Sequence, residues 1–228
     1  MRDIIFEDLG VKDYKETWDY QETLFGKWME HKRNGAQGET PGEYLLFVEH
    51  PHVYTLGKSG DETNMLIHKD FLEKIDATFY KINRGGDITY HGPGQIVGYP
   101  ILDLEAHGMG LKDYIKFLED SIIELCANHG IEATHSSSAT GVWIDEDHPR
   151  KARKICAIGV RSSRYVTMHG FAFNVNTNLD YFTYINPCGF QEKGVTSMEK
   201  EIGEKQDLEA VKGELKGILL RRLSAVGA

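Results

Sequence analysis

Hydrophobic residues recur at helical spacing in three segments of the chain. In residues 111–129, seven apolar residues share one helical face, and Gly130 follows at the position where glycine often ends a helix. Residues 12–33 place aromatic and aliphatic side chains among charged ones, and residues 207–223 form a charged amphipathic segment. The pattern therefore predicts three helices, separated by long non-helical stretches.

Shorter apolar runs between these segments predict β-strands. They fall at residues 43–49, 53–56, 78–83, 95–104, 140–145, 154–162 and 165–175. Pro100 lies inside one of these runs, and because proline has no N–H to donate, we expect it at a sheet edge or a bulge. Clusters of strands, rather than single strands, separate the helices. This order favours an α+β fold with a mixed or antiparallel sheet flanked by helices over a doubly wound parallel sheet.

The composition is that of an ordinary globular protein, since 40% of the 228 residues are hydrophobic and 27% are charged. The formal net charge of −9 argues against a general nucleic-acid-binding role, which usually needs a basic surface. No apolar run is long enough for a transmembrane helix, and no hydrophobic segment follows Met1 as a secretory signal requires. We therefore expect a cytoplasmic protein without membrane association.

The three cysteines fit neither a zinc-binding pattern nor a disulfide framework. Cys126 lies on an apolar helix face and Cys156 in an apolar strand, so we expect both to be buried thiols. Cys156 lies two residues after Lys154, and a regular strand would place both side chains on one face, which leaves Cys156 open as a second candidate nucleophile. Cys188 lies in the turn-forming sequence Asn-Pro-Cys-Gly, which is expected to expose its side chain.

Residues 84–100 read RGGDITYHGPGQIVGYP, with five glycines in 17 positions. Glycine allows positive φ angles and close approach of the backbone to a ligand or a second strand. The segment is therefore either a tight turn between two strands or a binding loop. It matches neither a P-loop nor a dinucleotide-binding loop, so nucleotide binding is not indicated. His50 and His52 lack a third ligand at metal-binding spacing, and we predict no metal site.

The glycine-rich run resembles the R-G-G-x-x-T-Y-H-G-P-G-Q signature of the lipoyl(octanoyl) transferase family, the octanoyl-acyl carrier protein–protein N-octanoyltransferases. Three further segments are similar to the family in the same order, at residues 51–58, 154–176 and 185–197. Together the four segments cover most of residues 45–197. Asn178 stands where an acidic residue is expected, a departure that concerns no catalytic residue.

This resemblance implies one catalytic domain over residues 1–228, with its motif-bearing core at about 45–197 and the fold shared by biotin- and lipoate-protein ligases. It also implies that Cys188 is the nucleophile and that Lys154 activates it, in keeping with the lowering of a thiol pKa by a nearby cation. His91 stays open between a hydrogen bond to this dyad or the acyl carbonyl and a bond within its own turn. The substrate-binding residues that the resemblance implies are Arg84, Gly85, Gly86, Asp87, Ile88, Thr89, Tyr90, His91, Ala157, Ile158, Gly159, Gly170, Phe171 and Ala172.

The implied reaction is a ping-pong transfer of an octanoyl group from octanoyl-acyl carrier protein, through a thioester on Cys188, to a lysine of a lipoyl domain, without a cofactor. The implied acceptors are lipoyl domains of 2-oxoacid dehydrogenase E2 subunits and the glycine cleavage H protein, and we expect a monomer. Residues 150–164 contain six basic and no acidic residues, from which we expect a basic rim that attracts acidic partners.

Three other functions remain as alternatives. An ATP-dependent lipoate or octanoate ligase would use Lys154 to bind an acyl-adenylate, but it would leave Cys188 without a role. A non-catalytic module for acyl groups or acyl carrier protein would keep the pocket and tolerate loss of the cysteine. An amidotransferase between lipoyl domains would share the fold and the cysteine chemistry, with the cysteine at a different place in the motif order.

Overall fold

The structure is a computed structural model that describes residues 3–148, 150–186 and 194–226. In chain order, the helices and strands are β1 (Ile4–Val11), α1 (Tyr14–Arg33), β2 (Glu43–Glu49), β3 (Val53–Leu56), α2 (Lys69–Lys74), β4 (Thr78–Lys81), β5 (Ile88–His91), β6 (Gln95–Ile101), α3 (Leu111–Asn128), β7 (Ala133–His135), β8 (Val142–Ile144), β9 (Arg153–Ser163), β10 (Val166–Asn174), β11 (Gly194–Val195), α4 (Met198–Ile202) and α5 (Leu208–Val226). Short 3₁₀ helices span Glu62–Asn64 and Leu179–Tyr184.

The strands form two sheets. The larger has the order β1-β2-β6-β10-β9-β8-β7, with β11 paired to β9, and the smaller has the order β4-β3-β5. In the larger sheet, β1 is parallel to β2 and β11 is parallel to β9, whereas the other pairs are antiparallel. The smaller sheet has one parallel and one antiparallel pair. The predicted α+β fold with a mixed sheet is confirmed.

Helices cover both faces of the larger sheet. Phe47 of β2 lies in a buried cluster with side chains of α3 and α5, whereas its neighbour Leu46 lies in a second cluster with Leu24 and Trp28 of α1. Because neighbouring strand residues point to opposite faces, the two clusters lie on opposite sides of the sheet. None of the helices in the described ranges is long and apolar enough to cross a membrane.

The three predicted helices are present at nearly the predicted bounds, and the residue after α3, Gly130, has the expected positive φ, near 72° after a C-cap at His129. Each predicted strand segment contains a strand, although β8 covers only part of residues 140–145. The sequence pattern missed β1, β5, β7 and β11 and the short helices α2 and α4. These are mostly short elements, whose few residues carry too little periodicity to be recognised.

Pro100 is not at a sheet edge, so that part of the expectation is wrong. It lies in β6, between β2 and β10, and pairs with Leu45. The pairing of β6 with β10 ends at Gly98–Phe171, and beyond it the Thr167 N–H donates to the Leu102 carbonyl. The missing proline N–H therefore falls where the ladder to β10 is interrupted, which is how an interior strand accommodates this residue.

Candidate active site

A cavity of about 710 Å³ lies over β9, β10, β5 and β6, within the size range of small-molecule binding sites. Its lining residues come from many separate parts of the sequence, between Tyr14 and Val195. The structure brings Lys154 together there with every substrate-binding residue implied by the sequence except Tyr90.

Tyr90 lies outside the cavity lining. Tyr90 is fully buried, its hydroxyl lies 2.7 Å from Nδ1 of His52, and its ring stacks on Tyr181. Its neighbours Thr89 and His91 line the cavity from the opposite face of β5, and Ile88 lines it at the start of the strand. Cys188 lies outside the described residues.

Small residues of β9 and β10 form the floor of the cavity. Gly170 pairs with Gly159, and Ala172 pairs with Ala157, so each pair lies side by side on one face of the sheet. Val97 of β6 pairs with Ala172 and extends this row. Because alanine projects little from a sheet, the alanine pair leaves room for a slender apolar chain, whereas Arg84 and the backbone of β6 fill the space beside Gly159 and Gly170.

The glycine-rich segment lies directly on β9. The Gly85 N–H donates to the Val160 carbonyl at 2.9 Å, and a Cβ atom on Gly159 would lie 2.9 Å from Cδ of Arg84. The buried Arg84 guanidinium also donates to the backbone and hydroxyl oxygens of Thr55, at 2.8 and 2.9 Å. These bonds fix the segment as a rigid wall of the cavity, and the close approach explains why residue 159 is a glycine.

Lys154 lies near the start of β9. Its Nζ atom donates to the Thr140 carbonyl at 3.1 Å and lies 4.7 Å from the centroid of the Trp143 ring. A carbonyl oxygen and the face of an indole both attract a cation, so the two contacts stabilise the ammonium form of the side chain.

Cys156 lies in the buried cluster beneath α3 and α5, whereas Lys154 lines the cavity. The register between β8 and β9 shifts between Val142 and Trp143, so that Val142 pairs with Cys156 and Trp143 pairs with Lys154. This irregularity removes the regular alternation on which the expected common face rested. Burial also raises the pKa of the Cys156 thiol well above its usual value. The described contacts therefore do not favour Cys156 as a nucleophile.

His91 lines the cavity, but both of its ring nitrogens have partners. Nδ1 lies 2.9 Å from the amide oxygen of Gln95, and Nε2 lies 3.4 Å from the Thr55 hydroxyl. Burial, with the nearby charges of His50 and Arg84, holds the pKa of His91 well below its usual value. This geometry favours the alternative in which a neutral His91 bonds locally across the turn that precedes β6.

The basic residues at 150–164 do not form a continuous positive surface. Arg153 makes ion pairs with Glu201 and Asp145, at 2.6 and 2.5 Å, and Arg161 pairs with Glu22 at 2.9 Å. Acidic side chains of the same chain therefore neutralise part of the positive charge that was expected to attract an acidic partner. The expected basic rim is correspondingly weaker.

Several lining residues escaped the sequence analysis, among them Tyr14 of α1, Tyr99 of β6 and Trp143 of β8. Single aromatic residues on separate elements carry no sequence signal that they meet. His169 also lines the cavity, with an unusual positive φ of 58°, and its Nε2 lies 2.8 Å from the Asn83 amide oxygen. It belongs to the family-like segment 154–176, which was the available signal for this residue.

Comparison with known proteins identifies the family of this chain. The family described as lipoyl protein ligase A/B catalytic domain matches residues 13–219. The chain belongs to this family. Within the lipoyl protein ligase A/B family, it is 55% identical over 218 residues to an octanoyltransferase of Christiangramia forsetii, covering 94% of this chain and 93% of that one. It is likewise 55% identical over 219 residues to an octanoyltransferase of Bacteroides fragilis, covering 96% and 97%.

Solved structures of the same fold include ligases for two different groups. A bipartite lipoate protein ligase from Thermoplasma acidophilum is similar with a TM-score of 0.65 and 13% identity, over 99% of this chain and 84% of that one. The biotin protein ligase from Aquifex aeolicus gives a TM-score of 0.51 at 13% identity, over 99% and 71%. At such low identity these similarities concern the fold alone, and they confirm the expected biotin- and lipoate-ligase core.

Proposed function

We propose that this chain is an octanoyltransferase, which transfers an octanoyl group from acyl carrier protein to a lysine of a lipoyl domain. The observation that carries the proposal is the 55% identity to relatives named octanoyltransferase over nearly the full length of both chains. The cavity with its floor of glycine and alanine suits the substrate. At about 0.8 kcal/mol per buried CH₂ group, an eight-carbon chain would contribute roughly 5 kcal/mol of binding free energy.

In the proposed mechanism, the Cys188 thiolate attacks the thioester carbonyl of the donor. The bond between the acyl carbon and the carrier sulfur breaks, the carrier leaves as a thiol after taking a proton from the Lys154 ammonium group, and octanoyl-Cys188 forms. The neutral amine of the lipoyl-domain lysine then attacks this thioester, which gives an amide, releases the Cys188 thiolate and transfers one amine proton to a base. Because an amide is more stable than a thioester, no ATP is required.

Lys154 is the proposed partner of Cys188. Its ammonium group would stabilise the thiolate before acylation, and in its neutral form it would accept the amine proton. The residues on either side of the segment that carries Cys188 support this pairing, since Asn186 and Gly194 line the cavity and Val195 pairs with Lys154.

We also propose that residues 1–228 act as one catalytic domain around the core at 45–197. Tyr14 of α1 lines the cavity, and α5 packs against α3, so both outer helices are joined to the core by contacts. The proposed acceptors are the lipoyl domains of 2-oxoacid dehydrogenase E2 subunits and the glycine cleavage H protein.

Intact-mass spectrometry tests the mechanism. The protein is mixed with octanoyl-acyl carrier protein without ATP, and a lipoyl domain is added afterwards. We expect an octanoyl adduct that hydroxylamine removes and that the lipoyl domain discharges. Cys188→Ser should abolish the adduct, and the matched variant Cys156→Ser should retain it, because Cys156 lies outside the cavity lining.

The alternatives give different results in the same experiment. Modification of the lipoyl domain only when free octanoate and ATP are supplied would replace the transferase with a ligase. The absence of both adduct and transfer, with octanoyl-acyl carrier protein still bound, would leave a binding module instead.

A further inference from the structure

We propose that Trp143 is a positioning residue for Lys154, which it holds at the cavity as an ammonium ion. Trp143 acts together with the loop at residues 136–141, and we refer to the loop and this ring as the lysine cradle. The inference rests on the proposed function, in which a cationic Lys154 stabilises the thiolate of the nucleophile.

The contact between Trp143 and Lys154 has the geometry of a cation–π interaction. The Nζ atom lies 4.7 Å from the ring centroid, within the roughly 6 Å over which such interactions are effective, and tryptophan is the strongest partner among the aromatic residues. The two residues are paired across β8 and β9, so the backbone sets the distance between them. Trp143 is almost fully buried, which limits the competition of water for the ring face.

The loop of the cradle is held in place by hydrogen bonds at two points. The indole N–H of Trp143 donates to the Ala139 carbonyl at 3.1 Å, next to the Thr140 carbonyl that accepts from Lys154. The Gly141 N–H donates to a carboxylate oxygen of Glu119 on α3 at 2.9 Å. The same indole ring thus attracts the ammonium group with its face and fixes the loop that supplies the oxygen acceptor.

Gly141 is required at the end of this loop. Its φ of 120° is a conformation that other residues rarely adopt, and a Cβ atom there would lie 2.5 Å from the Cys156 carbonyl oxygen and 3.3 Å from Cε of Lys154. The close approach leaves the alkyl stem of Lys154 packed against the loop backbone, which restricts the directions in which its Nζ atom can point.

Charged and titratable groups pack around the lysine cradle on several elements. Glu119 of α3 lies behind the loop, and its carboxylate oxygens contact the Gly141 N–H and His135 of β7. Cys156 of β9 is held as a neutral thiol by burial, which raises its pKa. Arg153, the preceding residue of β9, is paired with Glu201 of α4 and with Asp145, which follows β8.

These contacts favour one of the two roles proposed for Lys154. The ring face and the Thr140 carbonyl attract the ammonium cation more strongly than the neutral amine, whose N–H groups form only weaker, uncharged hydrogen bonds. The cradle therefore stabilises the state in which Lys154 supports a thiolate, and it opposes early loss of the proton that a general base requires.

Fluorination of the indole at position 143 tests the inference without removing the side chain. Mono-, di- and trifluorotryptophan are introduced at this position alone, by suppression of a stop codon, and each fluorine weakens the negative ring face. Acetic anhydride at pH 8 then labels neutral amines, and peptide mass spectrometry gives the rate at Lys154, with the exposed Lys112 as an internal reference. We expect a stepwise rise of about three- to thirtyfold across the series, because more of Lys154 becomes neutral.

Two further measurements separate positioning from simple packing. At a pH high enough to deprotonate Lys154 fully, the rates of the series should converge, since access to the amine is unchanged. Trp143→Phe lacks the indole N–H and has a weaker ring face. Its labelling rate at Lys154 should lie between those of the unmodified and the trifluorotryptophan proteins, and the pH profile of octanoyl transfer should shift. Equal labelling of Lys154 across the fluorinated series at pH 8, or a rise that persists at high pH, would overturn the inference.

The outcome is independent of the proposed function, because labelling is measured without any octanoyl donor. Failure of the unmodified protein to transfer octanoyl groups would contradict the function and leave the labelling result standing. Normal transfer with unchanged labelling would contradict the role of Trp143 alone.

Discussion

The two cysteines in the described part of the chain, Cys126 and Cys156, are buried, which argues against a catalytic role for either. Burial raises the pKa of Cys126 to about 12 and that of Cys156 well above its usual value, so both remain protonated at neutral pH. The sequence predicted buried thiols at both positions from their apolar surroundings, and this is confirmed. It could not show that a register shift beside Lys154 breaks the regular strand alternation, because that shift arises from the pairing of β8 with β9.

The burial of both thiols predicts the pattern of alkylation in the native protein. Iodoacetamide at pH 8 should leave Cys126 and Cys156 unmodified over a time that fully alkylates free cysteine, because the thiolate is the reactive form. Peptide mass spectrometry measures each position, and the same reaction in guanidinium chloride is the control in which both must react. Alkylation of Cys156 in the folded protein at the rate of an exposed thiol would contradict its assignment to the core.

Two buried histidines predict how stability depends on pH. Burial lowers the pKa of His50 to about 4 and, with Arg84 nearby, that of His169 to about 3. In the unfolded chain both would titrate near 6.5, so below that pH the unfolded state binds more protons than the folded state. Their contribution to stability is therefore complete above about pH 6.5 and is lost as the pH falls toward 4 and 3.

We expect each histidine to lower the free energy of unfolding by about 2 kcal/mol between pH 7 and pH 5. Urea denaturation at the two pH values measures the loss. His50→Gln should reduce it by the share of one histidine, whereas the same substitution at the exposed His148 should leave it unchanged. An equal loss in all three proteins would show that other groups cause the acid sensitivity.

At the scale of the strands, close backbone packing decides which positions must be glycine. A Cβ atom on Gly170 of β10 would lie 2.1 Å from the Gly98 carbonyl oxygen and 2.8 Å from Cδ of Pro100, both on β6. The glycine-rich composition predicted close approaches but not their partners. The partners depend on the order β6-β10-β9, which joins segments more than 50 residues apart in the sequence.

Alanine substitutions should therefore differ sharply between sites. Gly170→Ala forces its methyl group against the backbone of β6, and we expect a loss of about 1–3 kcal/mol in the free energy of unfolding. Gly26→Ala on α1 meets no atom within 4 Å, and alanine favours helices, so it should be neutral or stabilise by up to about 1 kcal/mol. Urea denaturation of both variants measures the contrast, and equal stabilities would refute the packing of β10 against β6.

For the whole molecule, the sequence predicted the helices, most strands and the α+β class from local periodicity. The family-like segments also identified fourteen of the 32 residues that line the cavity in the described part of the chain. The remaining lining residues, such as Tyr14 and Trp143, could not be predicted, because their proximity follows from the way the sheets and helices pack. The same limit applies to charge, since the acidic partners of Arg153 and Arg161 lie on α4, α1 and the end of β8.

The net charge of −9 should oppose the approach of an acidic acyl carrier protein, so exposed cations near the cavity gain importance. Arg150 and Lys151 are exposed and lie just before Lys154 in the chain. Replacing both with Glu should raise KM for the carrier severalfold at low salt and leave kcat nearly unchanged, because these side chains act on the encounter rather than on the chemistry.

Arg164 offers a matched control, because it is exposed but lies beyond the far end of β9, about 30 Å along the strand direction from Lys154. At that distance salt screens the interaction, so Arg164→Glu should change KM much less per charge than the double variant. Steady-state kinetics at low salt and at about 0.5 M salt measure both effects, and the higher salt should remove most of the difference. An equal effect per charge at both sites would mean that total charge, and not a local patch beside the cavity, governs binding of the carrier.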